Sequence, residues 1–299
     1  MRTARRFAGP GGWAEGLVSL KTGKWTGETR LAVHKLKEPL TWREPSTVFV
    51  DSMSDLFYEE FEDDQIAAVF AIMAACPQHT FIILTKRPER MRMWFRWVDS
   101  IPDPPGHGHG MTHPIGVCAN AAAALGIPVS VSRLYEQRGG GSAPWPLPNV
   151  WLGTSVENQD EIHRVTELAG TPAALRLLSC EPLLGHLELG LMGTLPSSVT
   201  GTAYVMTHER IRWVIAGAES GPGARPCSID DLCSLRDQCA EADVKFFLKQ
   251  AVACCRGVGP MPGHIHAGAE SEMKPGGLVI DPYLDGKLER AFPEVQEAA

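Results

Sequence analysis

The stretch "WVIAGAESGPGARPCSIDDL", residues 213–232, reads as a short apolar strand, a glycine-broken polar turn and the start of a helix. Glu219 stands between small residues in that turn, and Ser228 sits where a helix N-cap belongs. The same succession recurs along the chain. "STVFVDSMSDLF" (46–57), "TFIILTKRP" (80–88), "NVWLGTSVEN" (149–158), "LRLLSCEPLLG" (175–185) and "VKFFLKQ" (244–250) each run from apolar residues into charged or hydroxyl ones. Between several of them lie segments of helical period, such as "DDQIAAVFAIMAA" (63–75), with Ile66, Val69, Phe70 and Met73 on one stripe. Near-continuous Val, Ile, Leu and Phe in the strands implies a parallel sheet buried on both faces. The expected fold is therefore α/β, a partial (β/α) barrel of the TIM type, with an open doubly wound sheet as the competing arrangement.

Two stretches interrupt the rhythm. Residues 101–148 and 186–211 are rich in Gly, Pro and Ser and read as insertions. The expected organisation is a barrel over 1–252 and a tail over 253–299, irregular apart from "GGLVIDPYLDG".

In parallel α/β folds, ligands bind at the carboxyl ends of the strands. Those ends here carry Asp51, Ser52, Ser54 and Asp55; Thr85, Lys86 and Arg87; Thr154, Ser155, Glu157 and Asn158; Ser179, Cys180 and Glu181; Glu219 and Ser220; Lys249 and Gln250. A ring of such ends forms a polar cup suited to a polar ligand. Taken singly, each polar residue is as well explained by an ordinary structural ion pair. "GAESGPG" lacks the G-x-G-x-x-G spacing of a dinucleotide site.

Composition narrows the class. Of 299 residues 44% are hydrophobic and 21% charged, as in ordinary globular proteins. No run approaches the roughly 18 unbroken apolar residues of a membrane helix, so a cytoplasmic protein with no membrane partner is expected. The net charge of −7 argues against a chain that coats nucleic-acid phosphates. "LTKRPERMRMWFRW" is basic and aromatic and suits nucleic-acid contact, but such a helix more commonly turns its aromatic side inward. The eight cysteines form no C-x-x-C pair. Cys227, Cys233 and Cys239, six apart, alternate sides of a helix, so they read as thiols without a metal. His107, His109 and His113, and His264 with His266, lie in glycine-rich loops and read as surface residues.

Several segments together resemble a known family. They are "KWTGETRLAVHKLKEPLTWREPSTVFVDSMSDLF" (24–57), "FIILTKRPERM" (81–91), "PNVWLGTSVENQ" (148–159), "LRLLSCEPLLG" (175–185) and "WVIAGAESGPGARPCSIDDLCSLRDQCAEADVKFFLKQ" (213–250). In this order they resemble the phage-associated family of unknown function numbered 5131, which looks like a radical S-adenosylmethionine (SAM) family. The resemblance implies SAM and a [4Fe–4S] cluster as cofactors of the intact family. Typical members carry a first strand and then a cysteine segment ending C-x-x-C-Y-A-E-R. That segment is not in this sequence, so a chain lacking its first strand and its cluster is expected, through a misplaced start or a real truncation. From strand position, Glu219 and Ser220 are expected to meet SAM polar groups, with Lys86, Ser155, Glu157, Glu181 and Lys249 lining the cup. Two rivals stand beside this reading. One is a cluster-free barrel enzyme pairing Glu181 or Glu219 with Lys249 as acid and base. The other is a non-catalytic phage or mobile-element binding module. The substrate, the catalytic residues and the oligomeric state are not indicated.

Overall fold

A computed structural model describes residues 6–12, 14–101, 114–130, 144–195, 205–219, 224–254, 273–274, 278–281, 283–284, 287–288 and 291–293. The chain divides into two compact units, Met1–His79 with Val98–Ala143, and Thr80–Trp97 with Pro144–Ala299.

The first unit contains strand β1 (Thr47–Val50) and helix α1 (Asp63–Ala75). Glu62 and Gln65 form a reciprocal capping box that starts α1 at the predicted place. Residues Ile66 to Ala74 of this helix are all buried. The later helix α3 (Pro114–Ala124) packs on α1 through Ile115, Cys118, Ala121 and Ala122. Alanines on both helices permit that close approach. Part of the expected 101–148 insertion is thus core to this unit. At the end of β1, Asp51 adopts φ 53° and Asp55 Oδ1 accepts the Phe57 amide at 3.0 Å, so Asp55 serves the turn.

The second unit holds a curled parallel sheet of the partial-barrel kind. Its parallel strands are β2 (Thr80–Thr85), β3 (Val150–Ser155), β4 (Leu175–Cys180), β7 (Trp213–Gly217) and β8 (Lys245–Cys254), adjacent in that order. The intervening β5 (Thr194–Leu195) and β6 (Val205–Met206) form a separate antiparallel pair. One sheet face carries Phe81, Ile83, Val150, Leu152, Leu178, Val214, Phe246 and Leu248, and is covered by helices α4 (His163–Ala169) and α5 (Ile229–Glu241). Ser228 caps α5, its hydroxyl accepting the Asp230 amide at 3.1 Å. The other face, the inner wall of the curl, carries Ile82, Trp151, Leu175, Leu177 and Trp213, with Leu84, Ile215 and Phe247 half-buried beside them. Gly153 belongs to this wall: a Cβ there would lie 2.8 Å from the Leu177 side chain.

Helix α2 (Pro88–Ser100) follows β2. Met91, Trp94, Phe95 and Val98 are buried at helical spacing, and Arg92 pairs with Glu167 at 3.1 Å. The basic, aromatic start therefore turns its aromatic side inward.

One expectation differs from the structure. Strand β8 does not end at Gln250. It runs on to Cys254, where Ala251 to Cys254 pair antiparallel with β10 (Leu278–Asp281). Lys249 therefore sits inside a strand, next to the irregularity in the β7–β8 pairing. The tail also supplies β9 (Met273–Lys274), β11 (Tyr283–Leu284) and β12 (Lys287–Leu288). The start of the expected 186–211 insertion is packed. Leu187, Leu189 and Leu191 are buried, and two glutamines hold their backbone. Gln159 bonds both backbone groups of Glu188, and Gln238 bonds Leu187 O and Leu189 N at 2.9 Å each. Among the described residues, no helix is long and apolar enough to cross a membrane.

Candidate functional site

Because the five strands of the second unit are parallel and in register, their carboxyl ends lie along one edge. Alternation then sorts the residues at that edge. Leu84 leads to Lys86; Trp151 and Gly153 lead to Ser155 and Glu157; Leu177 leads to Ser179 and Glu181; Ile215 and Gly217 lead to Glu219; Phe247 leads to Lys249. These share the parity of the inner wall. Thr85, Thr154 and Cys180 have the opposite parity and serve the sheet. The Thr154 hydroxyl donates to Thr85 O at 2.8 Å, and the Thr85 hydroxyl accepts the Arg87 amide at 2.9 Å.

Backbone bonds tie the strand ends together. Val156 N donates to Ser179 O, Leu184 N to Glu157 O and Leu183 N to Gly217 O, each at 2.9 Å. On this base sits a set of charge pairs. Glu157 is the deepest, with its side chain 8% exposed, and it meets both Lys86 and Arg164. Arg164 comes from α4. Its Nη1 donates to Glu157 Oε2 at 3.1 Å and to Ser155 O at 3.0 Å, and its Nη2 meets Glu161 at 2.7 Å. Glu181 pairs with Lys249 at 2.9 Å. Glu219 takes three bonds from Arg225, from the backbone N at 2.9 Å, Nε at 2.8 Å and Nη2 at 3.1 Å.

Depth separates the signs. The carboxylates of Glu157 and Glu181 lie low, whereas Lys86 and Lys249 are each 57% exposed. Glu157, Glu161, Glu181 and Glu219 face Lys86, Arg164, Arg225 and Lys249, so the cup is neutral as a whole. Such a surface suits a zwitterion or a neutral polar molecule better than a polyanion.

Of the residues read from sequence, Lys86, Ser155, Glu157, Glu181, Glu219 and Lys249 fall on the inner side of the second unit; Ser220 lies outside the described residues. Arg164 and Arg225 were missed. Arg164 carries a weak sequence signal, its three-residue spacing from Glu161 on the approach to a helix. Glu219, expected to be open to a ligand amine, is already clamped by an arginine six residues on.

The Arg225 hydrogen bonds hold the Glu219 carboxyl down at about 2, against an ordinary 4.5. A lowered folded-state value means the clamp is fully present above the ordinary carboxylate range and is lost as pH falls through about 2. Arg225→Gln should return Glu219 to titration near 4.5, read by carboxyl ¹³C NMR. An unchanged titration would show that the clamp is not made in solution.

The described cysteines offer no thiolate cage. Cys76, Cys118, Cys180 and Cys239 are buried, and Cys227 and Cys233 are half-buried. Burial pushes the Cys118 and Cys180 thiols far up, Cys239 to about 12 and Cys227 to about 11. A [4Fe–4S] centre needs closely placed cysteine thiolates, and the described cysteines do not form such a group. Among the described residues no group of three His, Cys, Asp or Glu is placed to hold a metal ion. His107, His109, His113, His264 and His266 lie outside the described residues. A shallow groove between α4 and the β5–β6 pair, lined by Val165, Thr166, Leu189, Gly193 and Thr207, shares none of the strand-end residues.

A curled parallel sheet with polar groups gathered at its carboxyl edge is an α/β architecture of the barrel kind. The chain belongs to the family described as protein of unknown function (DUF5131), which matches residues 1–271. No curated protein and no solved structure shows significant similarity to it.

Proposed function

We propose that this chain is a SAM-binding partial barrel of the radical-SAM type that takes the methionyl end of SAM at the strand-end cup. The observation that carries this reading is the layering of charge, with carboxylates below and the ammonium groups of Lys86 and Lys249 above. An α-aminocarboxylate ligand needs both signs within a few ångströms. Its carboxylate is matched by Lys86 and Lys249, and its amine and sulfonium by Glu181 and Glu157. Glu219 joins only if Arg225 yields. The cysteines described here do not fit a cluster, so no radical step is assigned to these residues.

Isothermal titration of the full chain with SAM tests this. One-to-one binding is expected. Glu181→Gln or Lys249→Gln should each weaken it by roughly ten-fold or more, the effect of one charge-assisted hydrogen bond. Absence of binding, or affinity untouched by both changes, would remove SAM from the cup.

A second reading rests on the Glu181–Lys249 pair. At 2.9 Å, with the ammonium exposed, it has the geometry of an acid–base couple. Turnover of a small polar substrate without iron or SAM, abolished by Lys249→Gln, would favour that reading.

A further inference from the structure

The groove between α4 and the β5–β6 pair has a chemistry of its own, built without any residue of the cup. It encloses about 210 Å³, room for a short chain but less than the roughly 300–1,000 Å³ of a drug-sized site. Its base is apolar. Val165, Leu189 and Leu195 are buried there, with Ile162 half-buried beside them.

Around that base the groove presents acceptors. Glu188 stands at the rim, its side chain 63% exposed. Its Oε1 lies 2.7 Å from His186 Nε2, and among the described residues nothing donates to its Oε2. The Thr207 hydroxyl, from the helical turn Thr207–Arg210, donates to Gly193 O at 3.1 Å. The Thr194 hydroxyl donates to Met206 Sδ at 3.6 Å. With their protons so used, both hydroxyls are left to accept.

Donors are correspondingly scarce. Glu188 N and Leu189 N donate to the side-chain oxygens of Gln159 and Gln238. Gly193 N donates to Gly190 O and Thr207 N to Gly193 O. Ile162 N and Val165 N donate to Gln159 O and Ile162 O. Thr166 adds one hydroxyl able to do either. Among the described residues no Lys, Arg or His lines the groove. A carboxylate oxygen and accepting hydroxyls over an apolar base match a ligand that is cationic at one end and apolar along its body. A metal ion fits less well. It takes several ligands, and Glu188 is the lone carboxylate of the lining, with no Cys or His beside it.

We propose that this groove binds a primary alkylammonium group, with the alkyl chain on Val165, Leu189 and Leu195 and the N–H donors on Glu188 and the threonine hydroxyls. An ammonium carries three donors and no acceptor, the complement of this lining. The group belongs either to a free alkylamine or to a lysine side chain. The site stands whether or not SAM binds at the cup, because the two share no residue.

The test uses the full chain with n-butylammonium chloride as probe, against sodium chloride of equal ionic strength. The readout is the ¹³C-methyl NMR signals of Val165, Leu189 and Leu195, which should shift saturably. n-Butanol has the same apolar body without the charge and should bind about ten-fold more weakly. Glu188→Gln, at an exposed position, should weaken n-butylammonium by about the same factor. His186→Ala removes the competing contact at Oε1 and should leave the affinity unchanged or raise it. A capped Gly-Lys-Gly tripeptide distinguishes the sources. Tighter binding than n-butylammonium assigns a lysine side chain, and equal or weaker binding assigns a free amine. Methyl signals indifferent to n-butylammonium, n-butanol bound as tightly, or full affinity in Glu188→Gln would overturn the proposal.

Discussion

Arg164→Met should destabilise the protein by about 3 kcal/mol, the low end of what breaking a buried ion pair costs. Arg164 and Glu157 have side chains only 13% and 8% exposed, so water contributes little once the guanidinium is gone. Glu157 would keep Lys86, which is why the low end applies. The Ser155 carbonyl and Glu161 would lose their contacts with the same group. Methionine retains much of the aliphatic volume, so the loss reports charge and hydrogen bonding more than packing. Urea denaturation measures it. The double variant Arg164→Met with Glu157→Gln should be less destabilised than the sum of the single changes, because the uncompensated carboxylate is removed too. A single-variant loss below about 1 kcal/mol would mean that Arg164 is not the support of the cup floor.

The cup was legible because its residues extend the alternation of buried strands. Once "NVWLGTSVEN" is read as β3, Ser155 and Glu157 must follow Trp151 and Gly153 on one side. The same arithmetic places Glu181, Glu219 and Lys249. What alternation cannot reveal is the partner arriving from another element. Arg164 reaches Glu157 from a helix, and Arg225 returns to Glu219 from six residues on, so both depend on geometry beyond the strand. The continuation of β8 was hidden for a similar reason. Its second half is stabilised by β10, more than twenty residues on, and an antiparallel ladder of that span has no local signature. The buried Leu187, Leu189 and Leu191 did have one, a strict period of two inside a stretch read as an insertion. Its flanking glycines and prolines outweighed that pattern.

Trp213→Ala should cost about 4 kcal/mol, the larger of the two effects expected in the second unit. Trp213 is 4% exposed and stands at the first position of β7, on the inner wall. Its ring meets Trp151 edge-on at 6.1 Å and Phe247 edge-on at 6.2 Å, and Phe292 packs on it at 5.6 Å. Its indole N–H donates to Ala291 O at 3.0 Å, and Ala291 N donates to Phe246 O at 2.9 Å. One side chain thus fills the wall and fastens residues 291–293 across it. Alanine would leave a cavity among Trp151, Leu175, Leu177 and Phe247 that stiff neighbouring strands cannot close. Trp213→Phe keeps most of the volume and removes the indole donor, so its loss should be near 1–2 kcal/mol. The two variants separate filling from fastening. Hydrogen exchange at the Ala291 amide should accelerate in both, because the indole bond that holds the segment is gone in each. If Trp213→Ala unfolds at the same urea concentration as the parent chain, the wall is not packed as described. If Ala291 exchange is unchanged in Trp213→Phe, the segment is held by Phe246 and Phe292 alone.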